Sequence, residues 1–378
     1  MKAHAAWNDA RSMLAVRLDG MGDLLMTTPA LRALKDARAG RTLTLLVSPA
    51  GATVARALPF VDDVIVFVAP WMKSAETGAA LPDATLALGA KLRARAFDAA
   101  VIFTVCTQSA LPAAMLLYQA GVPLRAAYAR ENPYALLTDW RAESDRDLAY
   151  GMRHEVLRQI ELVESLGMPV RARTLQFPVA AHARRTMLQS ARACGLDARR
   201  RWLVVHPGAT ASSRRYPNGR LAEAVRLLAT KRRWQIAIAG DEGDREAAEA
   251  LAVSADGVVN LAGQLDLAEL AALLEAADAV VCNNSSPAHL AAAVGTPVVD
   301  LYALTNPQHT PWGVAHRVLS RDVECRWCLK SRCPHGHQRC LADVAPSAIV
   351  AAVEALLAPA ADRSRRVTLA STDARVAT

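Results

Sequence analysis

Two periods of apolar residues share this chain. Short apolar runs begin at Met13 ("MLAVRL"), Leu43 ("LTLLV"), Val64 ("VIVFV") and Ala99 ("AAVIFTV"), each bounded by turn-forming or charged residues. Runs of this length and composition read as strands covered on both faces. A second series begins at Trp202 ("WLVVHP"), Gln235 ("QIAIAG"), Gly257 ("GVVNLAG"), Ala279 ("AVVCNN") and Pro297 ("PVVDLY"). Between the runs lie "PALRALKDA", "RLAEAVRLLATKRR" and "LAELAALLEAA", whose apolar positions fall three and four apart, the spacing of an amphipathic helix. Strands alternating with helices predict a parallel sheet, and the pattern occurs twice. The chain therefore reads as α/β, with two Rossmann-like domains over residues 1–175 and 176–345. Proline and arginine interrupt the periodicity where they meet, around "GMPVRARTLQFPVAAHARRTML". "PSAIVAAVEALLA" predicts a helix over 346–358 that packs back on the first domain. Residues 359–378 are polar and aperiodic and read as a disordered tail.

At 378 residues there is enough chain for two cores. The formal charge of +8 points to an acidic partner: nucleic acid, a membrane surface or a phosphorylated substrate. Arginine is dispersed and aromatic residues make up only 5%, which argues against nucleic acid. The N-terminus lacks the apolar core of a signal peptide, and no apolar window is long enough to span a bilayer. The expectation is a cytosolic protein without a transmembrane segment, its seven cysteines reduced or bound to metal.

Four stretches can carry chemistry. In "VRLDGMGDLLMTTPAL" a strand passes through a glycine turn, Gly20 and Gly22, into a helix that opens with Asp23. Asp23 is either an N-terminal cap or a carboxylate placed at the carboxyl edge of a sheet as a general base. The third glycine of a dinucleotide fingerprint is absent, since Leu25 stands there, and no lysine followed by Ser or Thr makes a P-loop. In "VVHPGATASSRRYPNGRLAEA" a strand ends at His206. Gly208, Thr210, Arg214 and Arg215 then precede a helix near Pro217, an arrangement suited to a diphosphate. In "VVCNNSSPAHLAAAVGTPVV" the small polar residues Asn283, Asn284, Ser285 and Ser286 precede a helix bearing His289. They suit ribose and phosphate oxygens, or else supply a cap and a core histidine. In "CRWCLKSRCPHGHQRC", Cys325, Cys328, Cys333 and Cys340 surround His335 and His337. This is a tetrahedral zinc pattern with unequal spacing, or a group of packed thiols. The spacing matches neither common ferredoxin run.

Taken together, "GMGDLLMTTPAL", "HPGA" with "RRYP", "NNSSPAHLAAAVGTPVV" and "TNPQHTPWG" resemble glycosyltransferase family 9, the ADP-heptose:lipopolysaccharide heptosyltransferases, from about Met13 to about Leu357. The resemblance implies a GT-B fold, with acceptor bound by the first domain and sugar nucleotide by the second. It implies that Asp23 is the base and that Thr210, Arg214 and Glu242 meet the donor, together with the segment from Asn283 to His289. Asn284 stands where the family generally has aspartate, Ser286 where it has glycine, and Arg214 where it has lysine. No catalytic metal is expected, because cationic and dipolar groups at the diphosphate can replace the divalent metal that other transferases use. Transfer with inversion follows from the same resemblance. So does a phosphorylated glycolipid acceptor at the cytoplasmic face of the inner membrane, reached peripherally. Gly22, Arg17, Gln108, Ser109 and Arg125 are the acceptor-side candidates. The competing readings are a family 9 transferase with another nucleotide sugar or glycan acceptor, and a non-catalytic zinc-containing binding protein.

Overall fold

The computed structural model describes residues 2–73, 81–143, 153–232 and 234–358. It divides into two compact units: residues 1–178 with 306–313, and residues 179–305 with 314–378. The expected disordered tail lies outside the described residues.

The first unit holds a six-stranded sheet in the order β3-β2-β1-β4-β5-β6, every paired strand parallel. The strands are β1 (Ser12–Arg17), β2 (Thr42–Val47), β3 (Asp63–Val66), β4 (Ala99–Ile102), β5 (Leu124–Ala129) and β6 (Asp139–Ala142). Its helices are α1 (Lys2–Asp9), α2 (Met21–Asp36), α3 (Pro49–Ala57), α4 (Leu81–Arg95), α5 (Leu111–Gln119) and α6 (Glu155–Glu164). β1 is buried from Met13 onward because helices cover both faces, which is why it reads as a continuous apolar run. Helix α2 continues through Pro29, whose ring nitrogen cannot bond the carbonyl of Leu25. The hydroxyl of Thr28 donates to that carbonyl at 2.7 Å instead, so the helix stays satisfied.

The second unit repeats the plan with the order β12-β11-β10-β7-β8-β9, again all parallel. Its strands are β7 (Trp202–His206), β8 (Gln235–Ile238), β9 (Val258–Asn260), β10 (Ala279–Asn283), β11 (Val298–Leu301) and β12 (His316–Leu319). Its helices are α7 (Ala181–Ala193), α8 (Asn218–Arg232), α9 (Arg245–Ala252), α10 (Leu267–Ala276), α11 (Ser286–Ala293), α12 (Arg339–Ala342) and α13 (Pro346–Leu357). In each sheet the strand order reverses direction beside the first strand, between β1 and β4 and between β7 and β10. The loops leaving those strands flank the crevice where open α/β sheets bind ligands.

Two placements differ from the sequence reading. Helix α13 does not return to the first unit: Ile349, Val353 and Leu356 join the apolar core of the second, with Leu228 and Val281. Conversely, "TNPQHTPWG", expected in the second domain, contributes residues 306–313 to the first. There Trp312 Nε1 donates to the carbonyl of Arg173 at 2.7 Å, and its ring lies 4.6 Å from that of His154. No helix among the described residues is long and apolar enough to cross a membrane.

Candidate active site

The turn leaving β1 places Asp23 at the third position of α2. Its Oδ2 accepts the N–H of Gly20 at 3.1 Å, so the capping role is real. Its Oδ1 lies 3.5 Å from Nη2 of Arg17, and the side chain is 24% exposed. One oxygen caps the helix while the carboxylate still reaches solvent, and the two readings of Asp23 are compatible. Gly22 is buried inside the first turn of the same helix.

Arg17, expected at the acceptor, is a buried charge hub with 1% exposure. Its Nε lies 3.0 Å from Oδ2 of Asp19, and its Nη2 3.1 Å from Oε1 of Glu155. Arg158 continues the cluster, 3.7 Å from Glu155 and bidentate to Glu143 at 2.5 and 2.8 Å. Burial raises the Glu155 carboxyl, but Arg158 and Arg17 outweigh it and hold the group below its ordinary range. Asp19 goes the other way. Burial, together with the negative charge of Asp23, pushes it up to about 6 despite Arg17. Sequence reasoning passed over Asp19, whose only signal was its place two residues beyond the end of β1.

Asp19 opens into a cleft of about 260 Å³ lined by both loops at the strand-order reversal. Gln108, hydrogen-bonded to Asp19, and Ser109 line it as expected. The Ser109 hydroxyl donates to Glu131 at 3.2 Å and accepts from the N–H of Leu111. Arg125 does not belong there. It lies near the start of β5, the opposite end of the sheet, with its guanidinium bound to the carbonyls of Val122, Ala135 and Leu136. A side chain that satisfies buried carbonyls in this way is a structural clamp.

In the second unit the turn after β7 is shaped by a close approach. A Cβ at Gly208 would fall 2.1 Å from Oδ2 of Asp244, and one at Gly240 2.6 Å from the Asp244 Cβ, so only glycine fits at either place. Asp244, another residue the sequence reading missed, also lies 4.0 Å from Nε2 of His206. Burial lowers the His206 pKa, and its Nδ1 accepts the N–H of Gly208 at 3.2 Å. Thr210 is exposed on this loop. Arg215 is exposed too, but its Nε braces the loop through the carbonyl of Ala209 at 2.7 Å. Arg214 reaches the carbonyl of Asn284 at 3.4 Å, joining this loop to the one after β10.

The polar run after β10 is less free than its composition implied. Asn283, fully buried, accepts the N–H of Tyr216 at 2.9 Å and donates to the carbonyl of Pro207 at 2.6 Å. Asn284 donates to the carbonyl of Ala303 at 3.2 Å. These amides tie loops together instead of offering themselves to a ligand. Ser285 bonds the carbonyls of Asn283 and Gly208, Ser286 begins α11, and His289 is buried in that helix. Ser285, Ser286 and the N–H groups of the first turn of α11 are what this loop presents. Glu242 sits on the neighbouring 3-10 turn, ion-paired to Arg245 at 2.5 Å, and that pairing lowers its pKa. It lines a broad surface groove with Glu246, Asn260 and Gln264.

Cys325, Cys328, Cys333 and Cys340 are all free thiols. Cys333 is pulled below its ordinary range, burial being outweighed by backbone N–H groups of residues 335–338 that point at its sulfur. The thiol chemistry suits a soft cation, yet among the described residues no three Cys, His, Asp or Glu side chains are grouped to hold a metal ion. The segment has a structural contact that its sequence does not announce. Ser213 donates to the carbonyl of Lys330 at 2.8 Å, and Gln338 donates to those of Ser212 and Arg215 at 2.8 and 2.9 Å. The cysteine-rich segment is thus a strut beneath the loop that carries Arg214.

Comparison with known proteins agrees with the two-sheet fold. Residues 85–338 match the model of glycosyltransferase family 9 (heptosyltransferase), and the chain belongs to that family. It is a glycosyltransferase with the GT-B type of architecture, two parallel six-stranded α/β sheets. It is 26% identical over 286 residues to lipopolysaccharide heptosyltransferase 2 of Escherichia coli K12, covering 71% of this chain and 78% of that one. Among solved structures, the family 9 glycosyltransferase of Veillonella parvula aligns with a TM-score of 0.75 at 19% identity, over 92% of this chain and 97% of the other. Escherichia coli heptosyltransferase WaaC with ADP-2-deoxy-2-fluoro heptose aligns with a TM-score of 0.65 at 22% identity, over 91% and 99%. The family match begins beyond the β1–α2 turn, so the reading of Asp23 stands on its own geometry.

Proposed function

We propose that the protein transfers a heptose from ADP-heptose to the inner core of lipopolysaccharide, with Asp23 as the general base. The observation that carries this reading is Asp23 itself, a partly exposed carboxylate at the strand-order reversal, held in place by a backbone N–H and faced by Arg17. The acceptor hydroxyl attacks the anomeric carbon, Asp23 takes its proton, and the nucleotide diphosphate departs from the opposite face, which inverts the configuration. Thr210, Arg214 and the first turn of α11 receive the charge that develops on the diphosphate. The ADP-sugar assignment is supported by the bound analogue in the WaaC structure. The acceptor is a phosphorylated glycolipid at the cytoplasmic membrane face, which a chain of charge +8 approaches by surface electrostatics.

The test is release of ADP from ADP-heptose in the presence of a Kdo-bearing lipid A acceptor, with and without chelator. Acceptor-dependent release that survives chelation and disappears in Asp23→Asn supports the reading. A folded protein that releases no ADP overturns it in favour of another nucleotide sugar or acceptor.

The four cysteines carry a second proposal, a structural zinc. The N–H groups directed at the Cys333 sulfur support it, because such donors stabilise a thiolate. Binding would itself have to draw the ligands together, as metal binding coupled to local folding does. Metal analysis of the purified protein tests it, and a Cys328→Ser variant with unchanged zinc content would refute it.

A further inference from the structure

Two buried polar groups of opposite charge lie where β7, β10 and β11 of the second unit end, and they share no hydrogen bond. One is the carboxylate of Asp300, the third residue of β11; among the described residues neither of its oxygens has a partner. The other is Nε of Arg214, which is buried and likewise without a partner, while Nη1 of the same side chain reaches the carbonyl of Asn284 at 3.4 Å. A buried carboxylate in this state is unfavourable unless a charge nearby supports it. Its surroundings supply few. In the sheet register Asp300 lies between Val318 of β12 and Cys282 of β10, and Cys282 lies beside His206 of β7. Registered neighbours in a parallel sheet point to one face, so these side chains form a row. Burial and Asp300 itself push the Cys282 thiol well above its ordinary range, and burial lowers the His206 pKa, so both are neutral at pH 7.5. Helix α11, packed on β10 and β11, brings His289. Val299 and Leu301 turn the other face of β11 to α13, whose titratable residue is Glu354. Arg214 is the charge whose field acts on Asp300, opposing the burial that lifts it to about 8. A guanidinium keeps its proton throughout this range, so the carboxyl is the member of the pair that titrates.

We propose that Asp300 is the resident counter-charge of Arg214, that a nucleotide diphosphate takes over this role when it binds, and that Asp300 then takes up one proton from solvent. The pairing depends on the transferase reading for one thing, the place of the diphosphate at Arg214. The diphosphate neutralises the guanidinium and adds negative charge beside the carboxylate, and both changes favour the protonated carboxyl. Asp300 is a positioning residue: it touches no substrate and acts through Arg214. The sign of the pH dependence follows. The bound state holds the proton more tightly than the free state, so nucleotide affinity is full below about pH 8 and falls as pH rises through and beyond it.

The experiment is calorimetric titration of the full chain with ADP at pH 7.5 and at pH 9, a range in which the terminal phosphate, with a second pKa of about 6, stays ionised. ADP should bind about fivefold more weakly at pH 9. At pH 8.5, in two buffers of different ionisation enthalpy, the heats should show uptake of most of one proton per ADP. Asp300→Asn keeps the shape and cannot ionise, so it should bind ADP equally at both pH values, without uptake. A parent protein with equal affinity at both values overturns the proposal, as does an Asp300→Asn variant that keeps the parent's pH dependence and proton uptake. Should that variant fail to fold, Arg214→Met takes its place: it should bind ADP more weakly and without the uptake, and undiminished uptake is the refuting result. ADP release from ADP-heptose with the acceptor is measured in parallel. Proton-linked ADP binding without release removes the transferase reading and leaves the pair. Release with pH-independent ADP binding does the reverse, and failure to bind ADP at all removes both.

Discussion

Nη2 of Arg17 stands 3.5 Å from Oδ1 of Asp23 while Nε of the same guanidinium holds Asp19 at 3.0 Å. One buried cation therefore pairs with both the proposed base and a second carboxylate that lines the neighbouring cleft. The placement of each carboxylate is tied to that single side chain.

Replacing Asp23 with Asn keeps an oxygen that can accept the Gly20 N–H, so the helix cap survives. The base does not. Thermal unfolding should shift little, while ADP release should fall by roughly 10²-fold or more. A variant that releases ADP at near-normal rates would rule out the proposed role.

Arg17→Met leaves Asp19 and Glu155 buried without their shared cation. Removing one partner of such a cluster typically costs about 3–5 kcal/mol. The expected result is a loss of that order in urea-induced unfolding, larger than for removal of the exposed Arg184–Glu275 pair, which solvent screens.

Asp300 on β11 is fully buried, and neither of its carboxylate oxygens has a hydrogen-bond partner among the described residues. Burial pushes it from 3.8 to about 8, with Arg214 opposing. Because the folded value is the higher one, the folded protein binds this proton more tightly. The associated stability is full below pH 3.8 and is lost as pH rises toward and through about 8. Asp300→Asn has no proton to lose. Its melting temperature relative to the parent should be several degrees more favourable at pH 8.5 than at pH 5, by roughly the conversion between free energy and melting temperature. Scanning fluorimetry at the two values checks this, and an equal difference at both would contradict it.

The strut under the loop after β7 makes a remote prediction. Gln338→Ala removes the donors to Ser212 and Arg215 without touching Arg214. The KM for the nucleotide sugar should rise by about three- to tenfold, in line with about 0.5–1.5 kcal/mol per hydrogen bond, with kcat far less affected. A change confined to kcat would place the strut in another role.

Most of the sheet framework was legible because parallel strands buried on both faces leave long apolar runs, as in β1, β2 and β10. β5 was not, since "LRAAYA" is alanine-rich and carries Arg125, whose charge is accommodated only by carbonyls from the chain around it. The edge strands β6 and β12 are only partly buried and lack the run altogether. At the candidate site, Asp23 and Arg214 were singled out through glycine turns and helix starts. Asp19 and Asp244 were missed because burial and close backbone approach, which define their roles, have no local signature. The loop-bracing use of Asn283 and Asn284 was hidden for a related reason: a polar side chain at a helix start looks the same whether it meets a ligand or a distant carbonyl.

The return of residues 306–313 to the first unit makes that unit discontinuous in the gene. A chimera that exchanges everything before residue 179 between two relatives would leave Gln308 of one parent against Cys106 of the other, a buried contact of 3.3 Å. Acceptor preference should therefore not be inherited cleanly through one crossover. It should travel only when the eight-residue return segment is transplanted with the N-terminal portion.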